Sequence, residues 1–178
     1  MSNDPAIIKL SNVRLSYPEL FTAKAFQGGK PAFSAVFLLN KTKDAAQIAA
    51  IKTAINAVAK EAFKGKLPPK TCLRDGSEKP DTDGYGADIV FVSARNEKRP
   101  GVVNRDLTPL TAEDGKPYAG CYVNAVIRLW AQDNEFGKRI NASLRNVQFV
   151  RDGEPFGEKP VAPEQDFDAL PEDDSAVV

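Results

Sequence analysis

The segment from Cys121 to Ala131 alternates between two kinds of residue along its whole length. Every odd-numbered position is apolar, and the even-numbered positions are Tyr122, Asn124, Val126, Arg128 and Trp130. Because successive side chains of a β-strand point to opposite faces, this pattern predicts a long strand with one face in a hydrophobic core. The other face of the sheet would then present Tyr122, Arg128 and Trp130.

Further strand patterns occur on both sides of this segment. Residues 8–17 alternate with a change of phase at Ser11 and Asn12, which predicts a bulge or sharp bend in a long strand. Phe33, Phe37 and Phe149 lie in strongly apolar surroundings and are assigned to packing. The remaining predicted strands are residues 33–40, 87–95, 102–103 and 137–153.

One segment has the period of a helix. Between Thr42 and about Lys64, apolar residues recur at spacings of three and four, with Thr42 as the expected N-cap and Gly65 as the expected C′ residue. Residues 65–86 are rich in Pro and Gly and predict a loop. Strands outnumber helices, so we expect a mainly β protein, an antiparallel barrel or curled sheet with one packed helix.

Several classes of site have little support in the composition. The chain has no histidine, which excludes His-based catalysis and His-ligated metals, and Cys72 and Cys121 are too far apart for a CxxC motif. Asp81, Asp83 and Asp88 are the nearest approach to a carboxylate cluster, but they lie among Pro and Gly, so we favour a solvated turn. We expect no enzyme, no cofactor and no metal; a metal-dependent nuclease built on these aspartates is the alternative.

The zero net charge conceals two parts of opposite sign. Residues 161–178, the acidic tail, contain six carboxylates and no Lys or Arg, which leaves 24 basic and 18 acidic residues in residues 1–160, a balance of +6. We therefore expect a domain at 1–160 and a disordered tail at 161–178. The tail residues proposed to bind partners or to occupy the binding surface are Asp166, Phe167, Asp168, Glu172, Asp173 and Asp174.

Cations and aromatic residues share the outward parities of the predicted strands. Aromatic rings can stack on bases of any identity, and Arg and Lys can neutralise phosphates, so this mixture is typical of a single-stranded nucleic-acid surface. The alternatives are that Tyr122 and Trp130 pack under the helix, or that the face is a protein-interaction or scaffold surface. The predicted nucleic-acid-binding residues are Phe91, Arg95, Lys98, Arg99, Tyr122, Arg128, Trp130, Arg139 and Arg145.

The segments YAGCYVNAVIRLWAQDN and GKRINASLRNVQFVRDGEPFG, preceded by NEKRPGVVNRD and followed by an acidic tail, resemble the phage-encoded single-stranded-DNA-binding proteins of OB-fold type. The resemblance runs from about residue 85 to 157. It implies an elaborated OB-fold barrel that binds and protects single-stranded DNA during phage replication, recombination or repair. It also implies an acidic tail that competes with DNA and recruits replication or recombination proteins.

Two features depart from that family. The tail ends in Val178, and its one aromatic residue is Phe167, whereas the tails of relatives often end in an aromatic residue. The helix follows the second strand, where a simple OB fold has it between the third and fourth. No export or membrane segment is recognised at the start of the chain, so we expect the cytoplasm of an infected bacterium, and a homodimer remains open.

Overall fold

A computed structural model of the protein describes residues 4–25, 28–135, 137–156 and 168–170. Within these ranges β-strands are the predominant regular structure, with one long α-helix and short 3₁₀ turns at Gly76–Glu78 and Ala112–Asp114. The strands and the helix are β1 (Ile7–Lys24), β2 (Ala32–Asn40), α1 (Ala45–Phe63), β3 (Lys70–Thr71), β4 (Leu73–Asp75), β5 (Ile89–Asn96), β6 (Gly101–Val103), β7 (Tyr122–Asn134) and β8 (Gly137–Arg151).

Five of the strands close into a barrel. β1 pairs antiparallel with both β2 and β7, β2 pairs with β5, and β7 pairs with β8. The barrel closes where β5 meets β8 in parallel, with Arg95 opposite Ser143. This order, β1-β2-β5-β8-β7, is the partly open Greek-key barrel of the OB fold, so the predicted fold class is confirmed.

β1 bends, and its first half pairs with β7 while its second half pairs with β2. Its register with β7 shifts between Leu10 and Val13, and its register with β2 shifts after Ser16. Asn12 and Tyr17 have φ values of +52° and +44°, in the left-handed region. Such bulges turn a strand sharply and let it take part in both sheets of a small barrel. The bulge predicted at Ser11 and Asn12 is therefore confirmed.

The core lies between the barrel and α1. The odd-numbered side chains of β7 point inward, and Val123 and Ile127 are completely buried. Helix α1 covers one end of the barrel against β7, β1 and β8, burying Ile51 and Phe63 among other apolar residues. Phe33, Phe37 and Phe149 are all buried, as predicted from their surroundings. No helix in the described ranges is both long and apolar enough to cross a membrane.

The start of the helix differs from the prediction by two residues, and its end agrees with the prediction. Asp44, not Thr42, is the N-cap residue. At the other end, Gly65 is the C′ residue as predicted, with φ +88°, and its backbone N–H donates to the Ala59 carbonyl at 3.1 Å. It follows the C-cap residue Lys64, which also takes the left-handed conformation, with φ +56°. A basic side chain at this position also suits the negative end of the helix dipole.

The segment predicted to be a loop, residues 65–86, contains β3 and β4. Lys70 lies opposite Arg139 in a parallel pairing with β8, and Leu73 lies opposite Val92 in an antiparallel pairing with β5. Strands of two or three residues are too short to show a period of two, so only the tertiary structure reveals them. They form one wall of the surface described next.

Candidate nucleic-acid interface

A groove of about 750 Å³ opens on the outer face of the barrel, over β2 and β5. Residues of the β7–β8 hairpin also line it, as does the segment containing β3 and β4, which pairs with β8 through β3 and with β5 through β4. This is the face that OB folds use for oligonucleotides. The groove is lined by Ser34, Ala35, Val36, Thr71, Cys72, Arg74, Ser93, Ala94, Arg95, Asn96, Glu97, Lys98, Trp130, Gln132, Arg139, Asn141, Ala142 and Ser143.

Trp130 provides the aromatic surface of the groove. It occupies an even-numbered, outward position of β7 opposite Asn141 of β8, and it is 43% exposed. Beside it, the Asn141 amide donates to Gln132 Oε1 at 2.8 Å. None of the ring–ring or cation–ring contacts within the described ranges involves Trp130. The indole is therefore open to a stacking partner.

The charged residues that line the groove are mainly cations. Four basic residues line it, Arg74, Arg95, Lys98 and Arg139, against the single carboxylate of Glu97. Arg95 reaches across to the segment that precedes β2, where its Nη2 donates to the Lys30 carbonyl at 2.7 Å. Positive charge beside an exposed aromatic ring suits a polyanion that carries flat bases.

Four of the nine predicted nucleic-acid-binding residues line the groove: Arg95, Lys98, Trp130 and Arg139. They come from β5, from the turn after it, and from both strands of the β7–β8 hairpin. The closure of β5 on β8 brings the two groups together.

The expectation that Phe91 is a stacking platform is wrong for this structure. Phe91 does point to the outer face of β5, but it is only 1% exposed. Tyr85 meets it edge to face at 5.1 Å between ring centroids, and the Arg74 guanidinium lies 5.4 Å from its ring centroid. The segment containing β4 and Tyr85 covers the ring, so Phe91 supports the wall of the groove from beneath.

The other four predicted residues lie outside the groove lining. Tyr122 carries the Arg151 guanidinium 3.7 Å from its ring centroid, and the Arg128 Nε lies 3.3 Å from a carboxylate oxygen of Asp4. Arg99 donates to the Phe21 carbonyl at 2.9 Å. Arg145 is exposed at the point where the β7–β8 register shifts.

One of the six predicted tail residues belongs to the part of the chain that the structure describes. Asp168 is exposed and lies in the short described range 168–170. The others, Asp166, Phe167, Glu172, Asp173 and Asp174, lie outside the described residues.

Sequence reasoning missed the groove residues that come from β3, β4 and the polar positions of the hairpin. Arg74 was hidden in a segment that looked like a loop. Asn141 and Ser143 share the parity of Arg139 on β8, so the alternation of that strand could have identified them.

The groups considered for catalysis have ordinary structural settings. Cys72 is buried at the edge of the groove, and burial raises the pKa of its thiol to about 12; burial likewise raises the pKa of Cys121 to about 11. Both therefore stay protonated near neutral pH. Asp81, Asp83 and Asp88 are exposed in a turn-rich segment. Among the described residues, no three potential ligands lie close enough together to hold a metal ion.

Comparison with known proteins confirms the resemblance noted in the sequence. Residues 6–177 match the family model described as the ssDNA-binding protein of Enterobacter phage Enc34. A protein of Acyrthosiphon pisum secondary endosymbiont phage 1, known as putative protein p50, is 43% identical over 175 residues, covering 92% of this chain and 93% of that protein.

Solved structures agree with this match. The Enc34 single-stranded-DNA-binding protein in complex with ssDNA superimposes with a TM-score of 0.79 at 36% identity, over 85% of this chain and 90% of that one. The single-stranded-DNA-binding protein gp2.5 of bacteriophage T7 shares the fold, with a TM-score of 0.52 at 12% identity over 83% and 93% of the two chains. The chain thus belongs to the family of the single-stranded-DNA-binding protein of Enterobacter phage Enc34.

Proposed function

We propose that this protein binds single-stranded DNA without sequence preference, in the groove over β2 and β5. A base stacks on Trp130, and Arg74, Arg95, Lys98 and Arg139 hold the neighbouring phosphates. Stacking and charge act on every base and phosphate alike, so we expect no sequence preference. The protein acts as a binding protein and not as an enzyme.

The observation that carries this proposal is the open indole of Trp130 among four cations, on the face where OB folds bind oligonucleotides. Support also comes from the Enc34 relative, whose structure was determined in complex with ssDNA. Stacking of one base contributes roughly 1–3 kcal/mol. If the four groove cations each neutralise one phosphate, the slope of log affinity against log salt should be about −2.8.

A fluorescence titration tests the proposal directly. Trp130 is the one tryptophan of the chain, so its emission reports on the groove alone. Oligo-dT should quench this emission, saturably and less readily at high salt, and oligo-dA and oligo-dC should do the same. Unchanged emission, together with affinity that does not depend on salt, would refute the proposal and would favour the protein-interaction alternative.

The acidic tail is proposed to compete with DNA for the groove. Residues 161–178 carry six carboxylates and are joined to a body of charge +6, so their effective concentration at the groove can reach millimolar. Tightly stacking single strands displace the tail, which is then free to bind replication or recombination proteins. A chain ending at Pro160 should bind duplex DNA more tightly than the full chain at low salt; equal affinities would contradict the competition.

The biological role that follows is protection of single strands during phage replication, recombination and repair in the cytoplasm of the infected bacterium. The nuclease alternative is tested with labelled single-stranded and duplex DNA in the presence of Mg²⁺. We expect the DNA to remain intact during prolonged incubation, and cleavage that is lost on replacing Asp81 and Asp83 would establish the alternative.

A further inference from the structure

Beyond the groove, the structure brings together two basic stretches that are far apart in the chain. Residues 64–74 contain Lys64, Lys66, Lys70 and Arg74 and no carboxylate, and residues 137–151 contain four cations and no carboxylate. The parallel pairing of β3 with β8 places Lys70 opposite Arg139. Two acid-free segments therefore meet at one edge of the groove.

The lysines of this edge, Lys64, Lys66, Lys70 and Lys138, are called here the lysine ridge. All four are exposed, and none takes part in the ion pairs found among the described residues. Lys138 Nζ lies 5.6 Å from the ring centroid of Phe63, which joins the start of β8 to the end of α1. The ridge thus runs from the end of the helix to the β7–β8 hairpin.

The charge of the ridge is only partly balanced by its surroundings. Asp133 lies opposite Lys138 in the β7–β8 ladder, and Glu61 lies one helical turn before Lys64. Glu135 lies in the turn of the same hairpin, so three carboxylates stand beside four ammonium groups and Arg139, which leaves a net positive surface. The positive charges of the ridge repel one another, and a bound polyanion relieves this repulsion, so binding of a polyanion there is favoured.

The ridge is continuous with the groove. Thr71, the residue after Lys70, lines the groove, and so does Arg139, which lies opposite Lys70. Lys66 is four residues before Lys70, a reach of at most about 14 Å. A strand that leaves the groove beside Trp130 and Arg139 therefore meets the ridge next.

We propose that the lysine ridge is a second phosphate-binding site, which holds the backbone of single-stranded DNA after it leaves the groove. This inference rests on the proposed function and extends it: bases are stacked in the groove, whereas the ridge binds only phosphates. Short oligonucleotides that fill the groove do not need the ridge, and longer ones gain affinity from it.

The test compares the unchanged full chain with a ridge variant, Lys66→Gln, Lys70→Gln and Lys138→Gln. A matched control, Lys9→Gln, Lys43→Gln and Lys52→Gln, removes the same charge from exposed positions on β1, before α1 and on the solvent side of α1. Thermal melts establish that all three proteins are equally folded. Affinity is then measured for oligo-dT from about 4 to 16 nucleotides, the range that single OB folds cover, between 50 and 200 mM salt.

For long oligo-dT, the ridge variant should lose about 2 units of salt slope, because each phosphate contact contributes about 0.7. The unchanged protein should then lose about 20-fold more affinity than the ridge variant between 50 and 200 mM salt. Affinity for the shortest oligonucleotides should be equal in both proteins, and the control should match the unchanged protein at every length.

Three results would overturn the proposal. Equal salt slopes for the ridge variant and the unchanged protein, with binding intact, would leave the groove as the complete site and the proposed function standing. If the ridge variant bound oligo-dT more tightly than the unchanged protein, the ridge would be a site for the chain's own carboxylates and not for DNA. Absence of oligo-dT binding by the unchanged protein would refute both the ridge and the proposed function.

Discussion

Truncating Trp130 and Phe91 one at a time separates the contribution of each side chain to DNA binding from its contribution to the stability of the fold. The sequence predicts that both stack on bases. Trp130 is 43% exposed in the groove, whereas Phe91 is only 1% exposed and lies beneath Tyr85. Trp130→Ala should therefore weaken binding and leave the fold nearly unchanged. Phe91→Ala should do the reverse.

The expected magnitudes follow from these environments. Loss of one base stack costs about 1–3 kcal/mol, which raises the Kd of Trp130→Ala for oligo-dT about 5- to 150-fold. Truncation of a buried Phe costs about 3–5 kcal/mol because it leaves a cavity. In a chain of this size, that loss lowers the Tm of Phe91→Ala by about 6–20 °C. Trp130→Ala should shift the Tm much less, since exposed side chains contribute little.

The assay is a thermal melt followed by an oligo-dT titration well below the lower Tm, with labelled DNA so that the missing tryptophan does not matter. Trp130→Phe is the control, because a smaller aromatic ring should restore most of the affinity. The reasoning is refuted if Trp130→Ala melts as early as Phe91→Ala and binds oligo-dT normally, since Trp130 would then be a packing residue.

The remaining predictions concern single charges and thiols. Arg139→Gln should reduce the salt slope for oligo-dT by about 0.7. Arg128 lies outside the groove and is paired with Asp4, so Arg128→Gln should leave the slope unchanged. Equal effects of the two substitutions would contradict the assignment of the groove as the DNA-binding site. The hydrogen bond from Lys41 lowers the pKa of Asp75 from 3.8 to about 2. A carboxyl whose pKa is lower in the folded protein than in the unfolded chain stabilises the fold at pH values above its unfolded pKa. The unchanged protein should therefore melt at a higher Tm than Asp75→Asn above about pH 4, and this difference should fade as the pH falls towards about 2. Cys72, with its pKa raised by burial to about 12, should resist a thiol reagent at pH 8 until the protein is denatured; rapid labelling of the native protein would contradict its buried position.

Much of the fold could be read from local pattern. Alternation along residues 121–131 predicts β7 and its buried face, and the single stretch of helical period predicts α1 to within about two residues. The phase change at Ser11 and Asn12 predicts the bend that lets β1 join two neighbours. Each of these signals is local, because a strand or helix repeats its environment over consecutive residues.

The residues of the site could be predicted only in part, because strand parity does not show which distant segments cover an outward side chain. Parity establishes that a residue such as Phe91 points outward, but it does not say what lies above it. Arg128 and Trp130 have the same parity on β7, yet one is paired with Asp4 and the other lines the groove. Burial of an outward residue depends on segments that are distant in the chain.

The sequence alone determined the mainly β architecture, the inward and outward faces of the long strands, and the division into a basic body and an acidic tail. The tertiary structure decided which outward residues meet, through the closure of β5 on β8 and the short pairing of Lys70 with Arg139. The physical reason is that periodicity records the environment of each strand by itself. The groove and the lysine ridge arise from contacts between strands, and two-residue strands such as β3 leave no periodic trace in the sequence.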